Sequence, residues 1–437
     1  MNDRKTLRTA KWMGTPVIVV LVATSLQAAD WTQWRGNGRD GVWRESGIVD
    51  KFAKPQLDIK WRAPIGGGYS GPTVANGKVY ITDRILDPKQ QERTHCFDQK
   101  TGKLLWQHTY ACPYRDVGYD AGPRAAVTVH DGLAYALGAM GNLHVYDADS
   151  GKIVWQKDLN KQYKIRMPIW GIAASPLIEK DLVIVQIGGE GNACLVAFDR
   201  KTGGEKWRSL EDNASYASPI IVDYQGLRLM ICYTGEHVVG MNPADGKVYW
   251  KQPFPARRMI IGVADPVVYN DYVFLTNFFD GAMLLRLTNG GRGIEKVWQR
   301  AGESEKNTDA LHSIIATPII VDDHIYGVDS YGELRCLKLM TGDRVWEDTT
   351  AVPRARWSNI HFIQHAKHTW MFNERGELII ADLSPSGFKE ISRAKLIEPT
   401  MGQLRQRDGV CWSHPAFADR HIFIRNDEEI VCASLAK

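Results

Sequence analysis

Short segments of alternating apolar and polar residues recur along most of the chain. Examples are GKVYIT (77–82), LVIVQIGG (182–189) and DYVFLTN (271–277), each rich in β-branched or aromatic residues and bounded by glycine, asparagine or aspartate. This alternation is typical of strands that bury one face, and no window of useful length keeps the 3.6-residue period of a helix. The pattern therefore predicts an all-β protein.

A nine-residue motif follows many of these strands. DADSGKIVW (147–155) returns as DQKTGKLLW (98–106), DRKTGGEKW (199–207), NPADGKVYW (242–250) and KLMTGDRVW (338–346). Two degenerate copies are LTNGGRGIEKVW (287–298) and DLSPSGFKEI (382–391). With Trp61, the motif tryptophans recur every 43 to 52 residues. A period in the forties indicates a propeller or a helical array, and the strand pattern selects the propeller.

A second motif, a small or polar residue before proline and a β-branched run, opens each repeat. Its copies are GPTV (71–74), SPLI (175–178), SPII (218–221), DPVV (265–268) and TPII (317–320), with looser forms at 122–127, 359–362 and 413–417. Eight inner strands are thus predicted to start near residues 72, 123, 176, 219, 266, 318, 361 and 415. Eight outer strands end near 61, 106, 155, 207, 250, 298, 346 and 391. The Trp61 strand precedes every inner strand, whereas 415–434 lacks an outer one. We therefore predict an eight-bladed β-propeller of four-stranded blades, closed by the N-terminal strand joining the last blade.

The nine-residue motif has a structural interpretation. Asp147 and Ser150 are suited to cap a tight turn, and Gly151 to adopt a positive φ. Trp155 is then placed to pack on the neighbouring blade, with one acceptor for its indole N–H. A calcium loop is disfavoured because two copies replace the leading Asp by Asn or Lys. We predict structural docking roles for Trp61, Trp106, Trp155, Trp207, Trp250, Trp298 and Trp346.

These repeats resemble the tryptophan-docking motif of the quinoprotein-type β-propellers, the PQQ-like repeat family. The resemblance covers residues 58–437. That superfamily includes both dehydrogenases dependent on pyrroloquinoline quinone (PQQ) and the non-catalytic outer-membrane assembly factor BamB. The segment WTQWRGNGRDGV (31–42) also resembles a stretch that precedes the propeller in exported bacterial PQQ-repeat proteins. The resemblance implies the fold specifically and the activity much less so.

The N-terminal 28 residues have the pattern of a secretory signal peptide. A basic start at residues 4–11 precedes the apolar run 15–23 and small residues that suit cleavage after Ala28. An uncleaved anchor is the alternative, and no lipoprotein cysteine follows the site. We expect a periplasmic or secreted protein that is monomeric and has no membrane span in its mature form. We also expect an N-terminal extension at 29–57 and the propeller at 58–437.

Charge and cysteine content narrow the function classes. The formal charge of +4 falls to about +1 without residues 1–28, which gives no argument for nucleic-acid binding. Three of the seven cysteines, Cys96, Cys336 and Cys432, occupy equivalent strand positions, as expected for small buried hydrophobes rather than disulfide partners. His361, His365 and His368 fall on a strand and the turn after it, which disfavours a zinc site.

The connections from each outer strand to the next inner strand contain arginines and tryptophans. All should lie on one face, around the mouth of the channel. Arginine forks and aromatic faces suit carboxylates, sulfates or sugars. The alternative is a solvated rim, in which the arginines pair with Asp116, Asp120 and Asp408. Asp265 is either an acid at the mouth or a turn cap. The candidate binding residues are Arg115, Arg124, Arg166, Trp170, Arg257, Arg258, Asp265, Arg356, Trp357, Arg405, Arg407 and Trp412, with Arg354 nearby.

Two functions are compatible with these features. The first is an exported, non-catalytic binding or scaffold protein that holds an envelope protein, an anionic polymer or a small molecule at this face, with no cofactor. The second, by resemblance, is a dehydrogenase of alcohols or sugars that uses PQQ and calcium. The sequence lacks the adjacent cysteine pair typical of the alcohol dehydrogenases and a recognisable calcium set, so we favour the first.

Overall fold

The computed structural model describes residues 30–437, so the predicted signal peptide lies outside the described residues. Thirty-two strands form eight four-stranded antiparallel sheets, the blades. A first strand, β1 (Ile59–Pro64), precedes blade 1.

Blades 1 to 4 follow in chain order. Blade 1 comprises β2 (Thr73–Ala75), β3 (Lys78–Ile85), β4 (Gln91–Asp98) and β5 (Leu104–Ala111). Blade 2 comprises β6 (Thr128–His130), β7 (Leu133–Leu137), β8 (Asn142–Asp147) and β9 (Ile153–Asp158), followed by the short helix α1 (Leu159–Tyr163). Blade 3 comprises β10 (Leu177–Glu179), β11 (Leu182–Gly189), β12 (Ala193–Asp199) and β13 (Glu205–Ser209). Blade 4 comprises β14 (Ile220–Tyr224), β15 (Leu227–Tyr233), β16 (His237–Met241) and β17 (Val248–Pro253).

Blades 5 to 8 complete the ring. Blade 5 comprises β18 (Val267–Tyr269), β19 (Tyr272–Asn277), β20 (Gly281–Thr288) and β21 (Gly293–Arg300), with a 3-10 turn at Asn289–Gly291. Blade 6 comprises β22 (Ile319–Val321), β23 (His324–Val328), β24 (Leu334–Lys338) and β25 (Arg344–Asp348). Blade 7 comprises β26 (Ile360–His365), β27 (His368–Asn373), β28 (Glu377–Ser384) and β29 (Gly387–Lys395). Blade 8 comprises β30 (Ala416–Ala418), β31 (His421–Arg425) and β32 (Glu429–Ser434), with β1 as its outer strand.

The ring closes as predicted. Strand β1 pairs antiparallel with β32, and Trp61 lies opposite Cys432. The first strand of each blade lies innermost, and β2 contacts both β6 and β30. The chain ends therefore share one sheet, so opening the ring requires breaking that sheet.

The docking tryptophans link each blade to the next. Every indole N–H donates to a main-chain carbonyl in the turn before the outer strand of the following blade, over 2.8–3.2 Å. The acceptors for Trp61, Trp106, Trp155, Trp207, Trp250, Trp298 and Trp346 belong to Gln99, Ala148, Arg200, Pro243, Gly291, Leu339 and Ser384. The predicted acceptor for each indole is thus the repeat motif of the next blade.

The motif glycine is required by both conformation and space. Gly151 has a φ of 70°, and the Asp147 carboxylate accepts bonds from the Ser150 N–H at 2.8 Å and its hydroxyl at 2.6 Å. A Cβ at Gly151 would lie 2.5 Å from the indole of Trp106. Aspartate, glycine and tryptophan therefore form one joint between blades, as the repeat predicted.

One predicted boundary is wrong. The inner strand of blade 2 begins at Thr128, not near residue 123. The reason is that the Pro123 carbonyl accepts the N–H groups of Tyr69 and Ser70, which holds this segment against the preceding connection. Ala126 instead occupies the position that the residue before proline has in the other repeats, since its N–H donates to Ser175 Oγ of the next blade.

The N-terminal extension packs against blades 1, 7 and 8. The main chain of Trp31 forms an antiparallel β-bridge with Val74 of β2, and the main-chain N–H of Trp43 donates to the Gln364 carbonyl. The Trp43 side chain is fully buried near Phe417. Apolar residues of the extension therefore belong to the largest core cluster. Within residues 30–437, no helix is long and apolar enough to cross a membrane.

Candidate functional site

All eight connections between an outer strand and the next inner strand meet at the propeller axis. There they enclose a cavity of about 860 Å³, a volume that includes the part open to solvent. We call this cavity the aromatic cup. Its lining residues are Trp34, Tyr69, Tyr119, Arg124, Trp170, Ala173, Ser175, Tyr216, Ser218, Val263, Ile314, Ile315, Trp357, Trp412 and His414. Trp34 comes from the N-terminal extension, and every other member comes from a connection. A mostly apolar cavity with few polar groups is the usual form of a small-molecule site.

Polar residues before the inner strands tie successive blades together beneath the cup. Ser175 Oγ accepts the Ala126 N–H at 3.0 Å, and Ser218 Oγ accepts the Ser175 N–H at 3.0 Å. Asp265 Oδ1 accepts the Ser218 N–H at 2.7 Å, and Thr317 Oγ1 accepts the Asp265 N–H at 3.0 Å. These bonds explain the polar residue before proline, because the inner-strand entrances have no sheet partner for those N–H groups.

Trp34 forms the floor of the cup. Its indole N–H donates to Asp265 Oδ2 at 2.6 Å, and Arg35 Nη1 lies 3.8 Å from the same oxygen. Burial raises the pKa of Asp265, and Arg35, the Trp34 indole and the Ser218 N–H oppose that shift. Asp265 is thus covered by Trp34 and holds that indole in place, so it is not an acid open to the mouth.

Arg39 closes the channel below Trp34. Its guanidinium is buried and donates to the Ser175, Pro176 and Pro219 carbonyls of two inner-strand entrances. Burial lowers the pKa of Arg39 to about 10, so the group is charged at neutral pH. A separate cavity is lined by Arg35 and Arg39 together with residues of the inner strands of blades 4 to 6. The extension therefore divides the axial channel and makes the upper part a cup.

Tyr119 reaches across the mouth of the cup. Its ring centroid lies 5.5 Å from that of Trp170, 5.7 Å from Trp357 and 6.3 Å from Trp412. Trp357 and Trp412 belong to the connections before blades 7 and 8, whereas Tyr119 precedes blade 2. The connection 112–127 thus spans the axis and places one phenol among three indoles.

Arg124 is the charged residue among those that line the cup. It donates to the Gly118 carbonyl at 3.0 Å and to the Gly122 and Tyr119 carbonyls. Among residues 30–437, no carboxylate lies within ion-pair distance of Arg124. Its positive charge is therefore supported by carbonyl dipoles and left without a counter-charge.

The His414 imidazole has one nitrogen without a hydrogen-bond partner within residues 30–437. Its Nδ1 lies 2.6 Å from the Pro415 carbonyl, and its buried Nε2 has no hydrogen-bond partner. Burial, then the neighbouring His361 and Arg35, hold the pKa of His414 well below its usual range. The ring is therefore neutral, with the proton on Nδ1 and a free lone pair on Nε2.

Most of the predicted arginines lie outside the cup and contact other groups. Arg257 pairs with Asp280, Arg354 with Glu333, Arg356 with Glu305, Arg405 with Asp120 and Arg407 with Glu374, over 2.6–3.6 Å. Arg166 donates to the Glu211 and Asp212 carbonyls, Arg258 lies 5.2 Å from the Phe279 ring, and Arg115 is exposed. Of the acids expected as partners, Asp120 alone is paired with these arginines among residues 30–437.

The structure brings together four of the predicted residues and adds others. Arg124, Trp170, Trp357 and Trp412 line the cup. The sequence reasoning missed members that include Trp34, Tyr119 and His414. His414, Ser175 and Ser218 each precede a proline in the motif that opens a repeat, and Trp34 belongs to the segment 31–42. Both of these sequence patterns therefore indicated residues that line the cup.

The donors present do not fit a calcium-held quinone. None of the residues lining the cup is an Asp, Glu, Asn or Gln, although calcium requires several oxygen ligands. In residues 30–437, no cluster of three histidine, cysteine or acidic residues could hold a metal. His361, His365 and His368 contact the Trp412 carbonyl, the Trp43 carbonyl and Asp382, respectively.

Comparison with known proteins gives relatives of differing activity. The chain is 24% identical over 247 residues to tetrathionate hydrolase of Acidithiobacillus ferrooxidans, a match that covers 53% of this chain and 46% of the relative. It is 22% identical over 301 residues to BamB of Shewanella oneidensis, covering 66% of this chain and 60% of that protein. A europium-containing methanol dehydrogenase superposes with a TM-score of 0.66 at 13% identity, over 91% of this chain and 89% of that one.

These matches establish family and fold rather than activity. The chain spans about half the length of the curated relatives it matches, and the structural similarity at 13% identity shows the fold alone. Residues 90–348 match the PQQ-like repeat family described as outer membrane protein assembly factor BamB. The chain belongs to that family.

Proposed function

We propose that the protein is an exported, non-catalytic binding propeller that holds its ligand in the aromatic cup. The observation that supports this most strongly is the convergence of all eight connections on one aromatic cavity. Docking tryptophans and turn motifs are engaged in holding the ring, whereas the cup aromatics come from the irregular connections between blades and from the N-terminal extension. Aromatic faces in a concave site offer a large contact area at a low entropic cost.

The surrounding arginines extend the site outward. Arg115, Arg166 and Arg258 are exposed on the connections around the cup. Their charges would attract an anionic ligand, or an acidic surface of an envelope protein that inserts a ring into the cup. Relatives named for outer-membrane protein assembly are compatible with a protein partner.

A dehydrogenase that uses PQQ and calcium is the alternative. The family includes quinone-dependent alcohol dehydrogenase subunits, one of them 31% identical over 153 residues. The cup would stack a flat cofactor, but its lining lacks carboxylate or amide oxygens for calcium. We therefore derive no catalytic step from this site.

Equilibrium dialysis against envelope extract tests the proposal. Wild type, a cup variant (Trp170→Ala/Trp357→Ala) and a rim control (Arg405→Ala) are dialysed, and retained compounds are identified by mass spectrometry. Circular dichroism confirms that the variants fold. Wild type and Arg405→Ala should enrich the same ring compound, and the cup variant should lose it. Equal enrichment by all three proteins would remove the cup as the site.

Reconstitution with PQQ and Ca²⁺ tests the alternative. The proposal expects no quinone absorbance to co-migrate with the protein and no dye reduction by alcohols or sugars. Both signals together would overturn the non-catalytic function. Separately, cell fractionation with and without residues 1–28 tests export, and equal cytoplasmic retention of both forms would contradict it.

A further inference from the structure

Within the proposed binding function, we infer that the cup selects a single-ring aromatic carboxylate. The inference rests on two kinds of group that line one cavity. Four indoles and three phenols provide ring faces, and Arg124 provides a positive charge.

The ring faces favour a flat and mostly apolar ligand. Trp34 cannot turn freely because Asp265 binds its N–H at 2.6 Å, and Tyr119 packs 5.5 Å from Trp170 at the mouth. A planar ring between these faces buries both of its own faces, and aromatic pairs in such geometries gain about 0.5–1.5 kcal/mol beyond area burial. A pyranose would bring more hydroxyl groups than the few polar atoms of the cup could satisfy.

Arg124 gives the ligand its charge. The carbonyls of Gly118, Tyr119 and Gly122 fix its guanidinium but leave its net charge unbalanced. Its Nε–H and one Nη1–H have no acceptor in the described part of the chain, so a carboxylate could accept one of these two hydrogen bonds. A cationic ligand is disfavoured for the same reason, although aromatic cups often bind cations.

His414 contributes only its ring to the lining. Its Nδ1–H is donated to the Pro415 carbonyl, and its Nε2 is buried without a partner among the described residues and closed to the space of the cup. The imidazole therefore offers a ligand no hydrogen bond.

Isothermal titration calorimetry with three probes tests the assignment. The probes are benzoate, benzyl alcohol and glucuronate. Wild type should bind benzoate about 10- to 100-fold tighter than the neutral alcohol, as expected for one charge-assisted hydrogen bond. Arg124→Gln should abolish this preference, and Arg405→Gln, an exposed rim control, should leave it unchanged.

Each alternative result has a distinct meaning. Equal affinity of the wild type for benzoate and for benzyl alcohol would overturn the role of Arg124. Tighter binding of glucuronate would overturn the aromatic class in favour of a sugar acid. If none of the probes binds while the dialysis experiment enriches another ring compound, the inference fails and the binding function stands. If neither experiment finds a ligand, both fail. The wild-type probe comparison decides the question even if a variant does not fold.

Discussion

Replacing Gly151 by alanine should damage the joint between blades 1 and 2. The φ of 70° places this residue in the left-handed region, where a Cβ costs about 1–2 kcal/mol. The new methyl would also lie 2.5–2.8 Å from three atoms of the Trp106 indole, and overpacking of this kind costs about 1–3 kcal/mol. Gly151→Ala should therefore lower the free energy of unfolding by about 2–5 kcal/mol.

Gly132 of the same blade provides a matched control. Its φ is 74°, but a Cβ there would meet nothing within 4 Å, so Gly132→Ala should cost about 1–2 kcal/mol. Urea unfolding followed by circular dichroism measures both variants. In a Trp106→Ala background the clash is gone, and Gly151→Ala should then cost no more than the control. Additive effects of Gly151→Ala and Trp106→Ala, or equal costs for the two glycines, would refute the joint.

Two further predictions concern buried charges. Burial would raise the pKa of Asp83, but the neighbouring His95 and Arg93 outweigh it and hold that pKa well below 3.8. The ionised Asp83 therefore stabilises the fold above pH 4, and this stabilisation is lost as the pH falls further. Between pH 5 and 3, the melting temperature should fall less in Asp83→Asn than in wild type. Parallel plots of melting temperature against pH for the two proteins would contradict this. Arg39→Met should lower the free energy of unfolding by about 2–4 kcal/mol, measured with urea, because three carbonyls at inner-strand entrances lose their donor. An unchanged urea midpoint would show that the Arg39 contacts do not stabilise the ring.

The fold could be predicted because its determinants are local and repeated. Aspartate, glycine and tryptophan recur within nine residues, and the contact between Trp106 and Gly151 is one repeat long. The incorrect start of blade 2 arose where the motif decays, since Pro123 serves the preceding connection and Ala126 stands in for the usual polar residue. A degenerate repeat loses the local signal while tertiary contacts preserve the strand.

The site was less predictable because its contacts cross the axis. Arg356 was expected at the mouth, yet Glu305, 51 residues away, pairs with it, and Glu374 binds Arg407 across 33 residues. Spacing along the chain does not reveal such pairs. Tyr119, which precedes blade 2, meets the indole of Trp357, which precedes blade 7, and Trp34 reaches the axis from outside the repeats. Local motifs predicted which connections meet at the axis but not which side chains remain free there.

The N-terminal extension connects stability with binding. Arg39 anchors the segment to inner-strand carbonyls, and five residues earlier Trp34 forms the floor of the cup through its bond to Asp265. A ligand that packs on Trp34 contacts the folded extension, whereas the unfolded chain offers no such surface. By mass action, ligand binding must then stabilise the extension in its folded position on the ring. A change that detaches the extension must weaken binding by the same free energy. The repeated ring therefore acquires a specific site from the N-terminal extension and the eight irregular connections.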